Sequence, residues 1–112
     1  VSWEADAAAA TLAHEPVAAD QVVVGAPTTG WVALGSTADG AEVGVWEMTP
    51  GTMSDVEADE VFVVISGRAV VEFADGRAAI TLAPGSVVRL DAGASTVWTV
   101  TQTLRKVYVT PQ

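Results

Sequence analysis

Two adjacent bases near the end of this 112-residue chain, Arg105 and Lys106, with Tyr108 two residues beyond Lys106, are the residues best placed for chemistry. Neighbours on a strand point to opposite faces, so one base turns inward, and Lys106 would share its face with Tyr108. A base taken out of water needs a counter-charge, and Glu60 is the natural candidate. Such a set can do acid–base chemistry without a cofactor, with Glu60 as general base and Lys106, Arg105 or Tyr108 stabilising developing negative charge. A salt bridge that only holds the fold together is the competing reading. Asp55, Glu57, Asp59 and Glu60 form an acidic run that reads as a solvated loop ending at a strand, with a hard cation such as calcium as the lesser alternative. His14 is the only histidine and reads as a surface or interface residue. Ser54 and Ser95 lack a histidine partner in sequence, so neither reads as an activated nucleophile. The absence of cysteine removes disulfides, thiolate nucleophiles and cysteine-ligated zinc together.

Composition bounds what these residues can serve. The length suits one domain, and half of the residues are hydrophobic while 17% are charged, the profile of a packed globule. Fourteen acidic against five basic residues give a formal charge of −9, which repels phosphate backbones and anionic membranes, so neither nucleic acid nor a membrane is an expected partner. No apolar run approaches the roughly 20 residues needed to cross a bilayer, and the N-terminus lacks a signal-peptide pattern. A cytoplasmic location is expected.

Short strands must position the chemistry. Residues 1–20, with Ala7 to Ala10 as a possible helical turn, read as an N-terminal arm, and residues 21–112 as the single domain. From Gln21 onward, Val-, Thr- and Trp-rich runs alternate with Gly, Pro, Asp and Ser, which predicts strands at 21–25, 31–34, 42–48, 60–66, 69–73, 78–82, 86–90, 96–100 and 105–110. The Asp-Gly pairs Asp39-Gly40 and Asp75-Gly76 mark tight turns, because glycine accepts the positive φ they need. Nine short antiparallel strands at this spacing fit an all-β sandwich or barrel. Alternation along 60–66 puts Glu60, Phe62 and Val64 on one face and Val61, Val63 and Ile65 on the other, so both faces are expected to be buried, the outer one by a second subunit or by the arm. A homodimer is the expected arrangement.

The order and spacing of Gly44-Val45-Trp46-Glu47, Pro50-Gly51-Thr52, Glu60 with Gly67, Asp75-Gly76, Pro84-Gly85, Ala92-Gly93, Trp98 and Arg105-Lys106-Val107-Tyr108 add a resemblance. Residues 44–110 resemble the small cupins of the ethanolamine-utilisation branch, related to ureidoglycine aminohydrolases. The resemblance implies a double-stranded β-helix, the jelly-roll cupin barrel, with a ligand pocket between its sheets. It also implies a metal site that this sequence does not complete. Glu60 and Gly67 match the glutamate and glycine of the first cupin motif, but its histidine positions fall on Ser54 and Val56, or on Met53 and Asp55, and Thr96 stands at the third histidine. Transition metals need several imidazole or carboxylate donors converging at about 2.0–2.2 Å, so no metal and no other cofactor is expected.

In the cupin frame, Thr96 points inward and brings Trp98 and Val100 to the same face, near Glu60 and Phe62. Phe62, Thr96 and Trp98 are therefore the expected ligand-binding wall, with Trp46 and Trp31 as weaker candidates for it and plain core filling the competing reading. Three functional classes follow: a metal-independent small-molecule-binding cupin, which is preferred; a cofactor-free isomerase, lyase or hydrolase acting on a small metabolite; and a filled barrel whose outer surface is the useful part.

Overall fold

Valine-rich alternation dominates the chain after residue 20, and the computed structural model, which describes residues 1–112, contains nine strands and no helix. They are β1 (His14–Pro16), β2 (Val22–Val24), β3 (Thr28–Ser36), β4 (Glu42–Met48), β5 (Gly51–Val56), β6 (Glu60–Phe73), β7 (Ile80–Leu82), β8 (Val87–Leu90) and β9 (Ser95–Thr110). All pairings are antiparallel. The all-β jelly roll expected from the sequence is the fold observed.

Its frame is the long pairing of β6 with β9, from Val61 opposite Val109 to Phe73 opposite Thr96. Register shifts between Val64 and Ala69 bend this ribbon in its middle. The two halves then recruit different neighbours. Around the end of β9, β4 pairs with residues 104–110 and carries β3 and β1, while β8 flanks the start of β6. Around the start of β9, β5 pairs with residues 95–100 and carries β2, while β7 flanks the end of β6. The halves close over a core that includes Met48, Phe62, Leu82, Leu90, Trp98 and Leu104, all 0–1% exposed.

Three local expectations are corrected. The segments 60–66 and 69–73 are one strand, as are 96–100 and 105–110, because the bend is made by bulges that keep the ladder running. Much of the acidic run is not a solvated loop: β5 extends to Val56, and Glu57 is buried at 8% exposure. The alanine-rich stretch makes no helix. Its start is a turn in which Asp6 Oδ1 accepts the amides of Ala8 and Ala9, and the arm then supplies β1 to the sheet. The outer face of 60–66 is left partly open by the arm, with Val61 42% exposed and Val63 and Ile65 only partly covered, so of the two expected covers the arm alone does not suffice.

Gly67 sits at the bend with φ of +92°, and a Cβ there would lie 2.1 Å from the carbonyl oxygen of Thr103 on the facing strand. Both the backbone conformation and the close approach require glycine. Gly67→Ala is expected to destabilise the fold by roughly 2–4 kcal/mol, read as a lower midpoint in urea unfolding. A midpoint equal to that of the unaltered chain would show that the bend tolerates a side chain.

Candidate functional site

Lys106 lies mid-strand on β9, between Trp46 of β4 and Val64 of β6. That position sends its side chain into the barrel, where it is 5% exposed. The Nζ donates to Glu60 Oε1 at 2.8 Å. It also lies 4.6, 4.4 and 4.7 Å from the ring centroids of Trp46, Phe62 and Trp98. The rings pack on one another, with Trp98 5.5 Å from Trp46 and 5.8 Å from Phe62. Contacts of this kind are each worth about 0.5–2 kcal/mol. A single ammonium thus holds a carboxylate and three aromatic side chains together.

Arg105, one residue earlier, points the other way. Its Nε donates to Glu47 Oε2 at 2.8 Å, and its Nη1 donates to the carbonyls of Ala7, Ala8 and Ala10 in the arm. His14 completes that cluster, with Nε2 2.8 Å from Glu47 Oε1 and Nδ1 2.8 Å from Thr28 Oγ1. Both residues therefore fasten the arm to the outside of the barrel. Arg105 is not part of the pocket.

A cavity of about 270 Å³ opens beside Lys106. Asp55, Glu57, Glu60, Lys106 and Tyr108 supply its polar lining, and Trp31, Trp46 and Trp98 its aromatic walls. Tyr108 donates its hydroxyl to Glu42 Oε2 at 2.7 Å. Burial, reinforced by that bond and by the charges of Glu42 and Glu60, pushes its phenol far above its ordinary value, so it serves as a neutral hydroxyl and not as a base. Thr96 and Phe62, expected as wall residues, stand behind the cavity. Thr96 Oγ1 donates to Glu57 Oε2 at 2.5 Å, and Phe62, at 1% exposure, backs the ammonium from the core.

Glu57 and Asp55 are the site residues that sequence reasoning assigned to a solvated acidic loop and not to the pocket. Glu57 Oε2 also accepts the Trp98 indole N–H at 2.9 Å. Burial, and then the neighbouring charge of Glu57, raises the Asp55 carboxyl above its ordinary value. A signal existed: Asp55 and Glu57 are two apart, which on an extended segment places them on one face.

The cupin metal positions do not fit a resident transition metal. No group of three or more histidine, cysteine, aspartate or glutamate side chains converges in a way that could hold one, and Glu60 bonds the Lys106 ammonium. A family model for the EutQ-like cupin domain matches residues 35–108, two thirds of the chain. The chain belongs to the EutQ-like cupin family. Among solved structures, this cupin is similar to a protein of unknown function from Pseudomonas syringae pv. tomato DC3000, with 28% identity and a TM-score of 0.75 over 90% of this chain. It spans only 44% of that protein's length. The Clostridium difficile EutQ protein matches at 23% identity and a TM-score of 0.64, over 75% of this chain and 68% of its own. A structure described under the DMSP lyases RdDddP and RnDddQII matches at 21% identity and a TM-score of 0.61, over 72% of this chain and 46% of its own. At those identities the last two matches establish the fold alone. No curated protein matches this cupin.

The arm cluster has a pH signature. Burial alone would raise the Glu47 carboxyl, but hydrogen bonds from Arg105 and His14 outweigh it and hold the group below its ordinary value of 4.5. The stability Glu47 supplies is therefore fully present above that value and is lost as pH falls through the lower, folded-state pKa. Acid unfolding of Glu47→Gln should show a shallower loss of stability below pH 4.5 than the unaltered chain. Arg105→Ala should expose residues 1–13 to limited proteolysis at neutral pH while leaving the barrel folded. An arm equally protected in Arg105→Ala would show that β1 pairing alone holds it.

Proposed function

We propose that this EutQ-like cupin is a small-molecule-binding domain that works without a bound metal. The observation that carries the reading is the Lys106 ammonium, which sits on Glu60 under three aromatic rings at the edge of an open cavity. An internal cation on Glu60 neutralises the one carboxylate that the cupin resemblance would assign to a metal. Ligand sites are mostly apolar clefts of roughly 300–1,000 Å³ with a few converging polar groups, and a cavity of about 270 Å³ lies just below that range, which suits a ligand of few atoms. The ligand is thus a small metabolite held in the barrel.

A second reading, a cofactor-free isomerase, lyase or hydrolase, is favoured by one observation. Asp55 faces the same cavity as Lys106, and partial burial, then the charge of Glu57, raises its carboxyl above the ordinary value, the kind of shift found in groups that transfer protons. In that reading Asp55 carries the proton and Glu60 holds the ammonium in place.

We also propose a cytoplasmic homodimer that binds neither nucleic acid nor membrane. No helix is long and apolar enough to cross a membrane. The registers align Val61 with Val109, and Val63 with Val87 and Val107, on the outer face of the sheet. Val61, Val87 and Val109 are 42%, 70% and 36% exposed, and a continuous apolar patch of this kind favours a protein partner.

Three experiments test these statements. Elemental analysis after mild purification should find no stoichiometric iron, nickel, manganese or zinc, and thermal unfolding should separate two variants of the pair. Glu60→Gln keeps an acceptor for Nζ and should cost about 1–2 kcal/mol, while Lys106→Met strands the carboxylate and should cost about 3–5 kcal/mol. One equivalent of metal per chain, or two variants as stable as the unaltered protein, would overturn the internal-cation reading. Light scattering should give twice the chain mass, and Val61→Glu should shift it to the mass of one chain. A single-chain mass without the substitution would remove the dimer.

A further inference from the structure

The charges around the cavity do not balance. Asp55, Glu57 and Glu60 face it with Lys106 as the one cation among its lining residues, and Lys106 forms its ion pair with Glu60. Glu57 is nine-tenths buried and has no cationic partner within salt-bridge distance. Its Oε2 accepts from both Thr96 and Trp98, and no protein donor reaches Oε1. Since no fully buried side-chain oxygen lacks a partner, Oε1 retains contact with solvent at the cavity. Asp55 is in the same condition: its Oδ1 accepts the Val56 amide and its Oδ2 has no donor. Two carboxylates of like charge thus face one space, each with a free oxygen, and the aromatic walls of that space are the indoles of Trp31, Trp46 and Trp98.

A buried carboxylate without a cation is costly, and indole faces attract positive charge. Resting on the pocket reading above, we infer that the ligand of this cavity is a small organic cation, an amine or quaternary ammonium, whose charge lies between Asp55 and Glu57 and whose alkyl groups lie against the indoles. The barrel already holds one ammonium in this way, since Nζ of Lys106 combines a carboxylate with three aromatic faces. A ligand cation would repeat that arrangement one step nearer the mouth, where Trp31, 62% exposed, forms the rim. An anionic ligand is disfavoured because the only inward base in the lining is already neutralised by Glu60.

The Trp98 indole N–H, bonded to Glu57, is a built-in reporter. The full chain, labelled with nitrogen-15, is titrated with choline, with its uncharged isostere 3,3-dimethylbutan-1-ol and with isobutyrate, following the indole cross-peaks. Choline should shift the Trp98 peak saturably, and neither the isostere nor isobutyrate should do so. Glu57→Gln should weaken choline binding at least tenfold, whereas Glu4→Gln, at an exposed site in the arm, should leave it unchanged. The contrast between choline and its isostere is read in the unaltered chain and does not depend on the variant folding. Equal binding of choline and the isostere, or preferential binding of isobutyrate, overturns the cation assignment and leaves the pocket reading standing. Silence with all three overturns the cation assignment and counts against the pocket as well.

Discussion

An ammonium group in the middle of a β-barrel must be satisfied from within, and most of this protein's interior follows from how Lys106 is satisfied. Glu60 supplies the charge and Trp46, Phe62 and Trp98 supply three negative π-faces. Each of these comes from a different point in the chain: β4, the start of β6, and the first half of β9. The pair therefore acts as a centre around which the two halves of the barrel are registered. A buried ion pair is weak evidence for stability by itself, since desolvation offsets much of its attraction. Here the rings return part of that cost, and the cavity beside the pair leaves Glu60 some access to water.

The frame that delivers these residues is the bent ribbon of β6 and β9. A straight pairing of 14 and 16 residues would make a flat two-stranded ladder with no inside. Bulges and a left-handed glycine at its middle let the same two strands serve both halves of the jelly roll, so Lys106 in one half and Trp98 in the other face a common interior. Within the second half, the pairing of β5 with the start of β9, where Asp55 lies opposite Thr96, explains why Glu57, just after β5, reaches Thr96 and Trp98.

The arm obeys a different logic. Val17 anchors its end in the core, and polar contacts hold the residues before it: Arg105 gathers three backbone carbonyls, Glu47 joins Arg105 to His14, and the Trp3 indole donates to the Ser36 carbonyl. The adjacent bases of β9 thus divide the work, with Lys106 organising the inside of the barrel and Arg105 its covering.

Local chemistry in the sequence determined the strand-rich class, the Asp-Gly turns, and the rule that Arg105 and Lys106 face opposite ways, because alternation and glycine's backbone freedom act over a few residues. The order of short motifs added the cupin frame, and within it Trp98 was placed near Phe62. Sequence did not say which base turned inward, since parity is the same for either choice until the register of β9 against β4 and β6 is known. Nor did it show that four predicted strands were two, because a bulge looks in sequence like a break. Asp55 and Glu57 were misjudged because an acidic run is normally solvated, and only the pairing of β5 with β9 carries these carboxylates to the cavity beside the indoles, where water screens them less from one another.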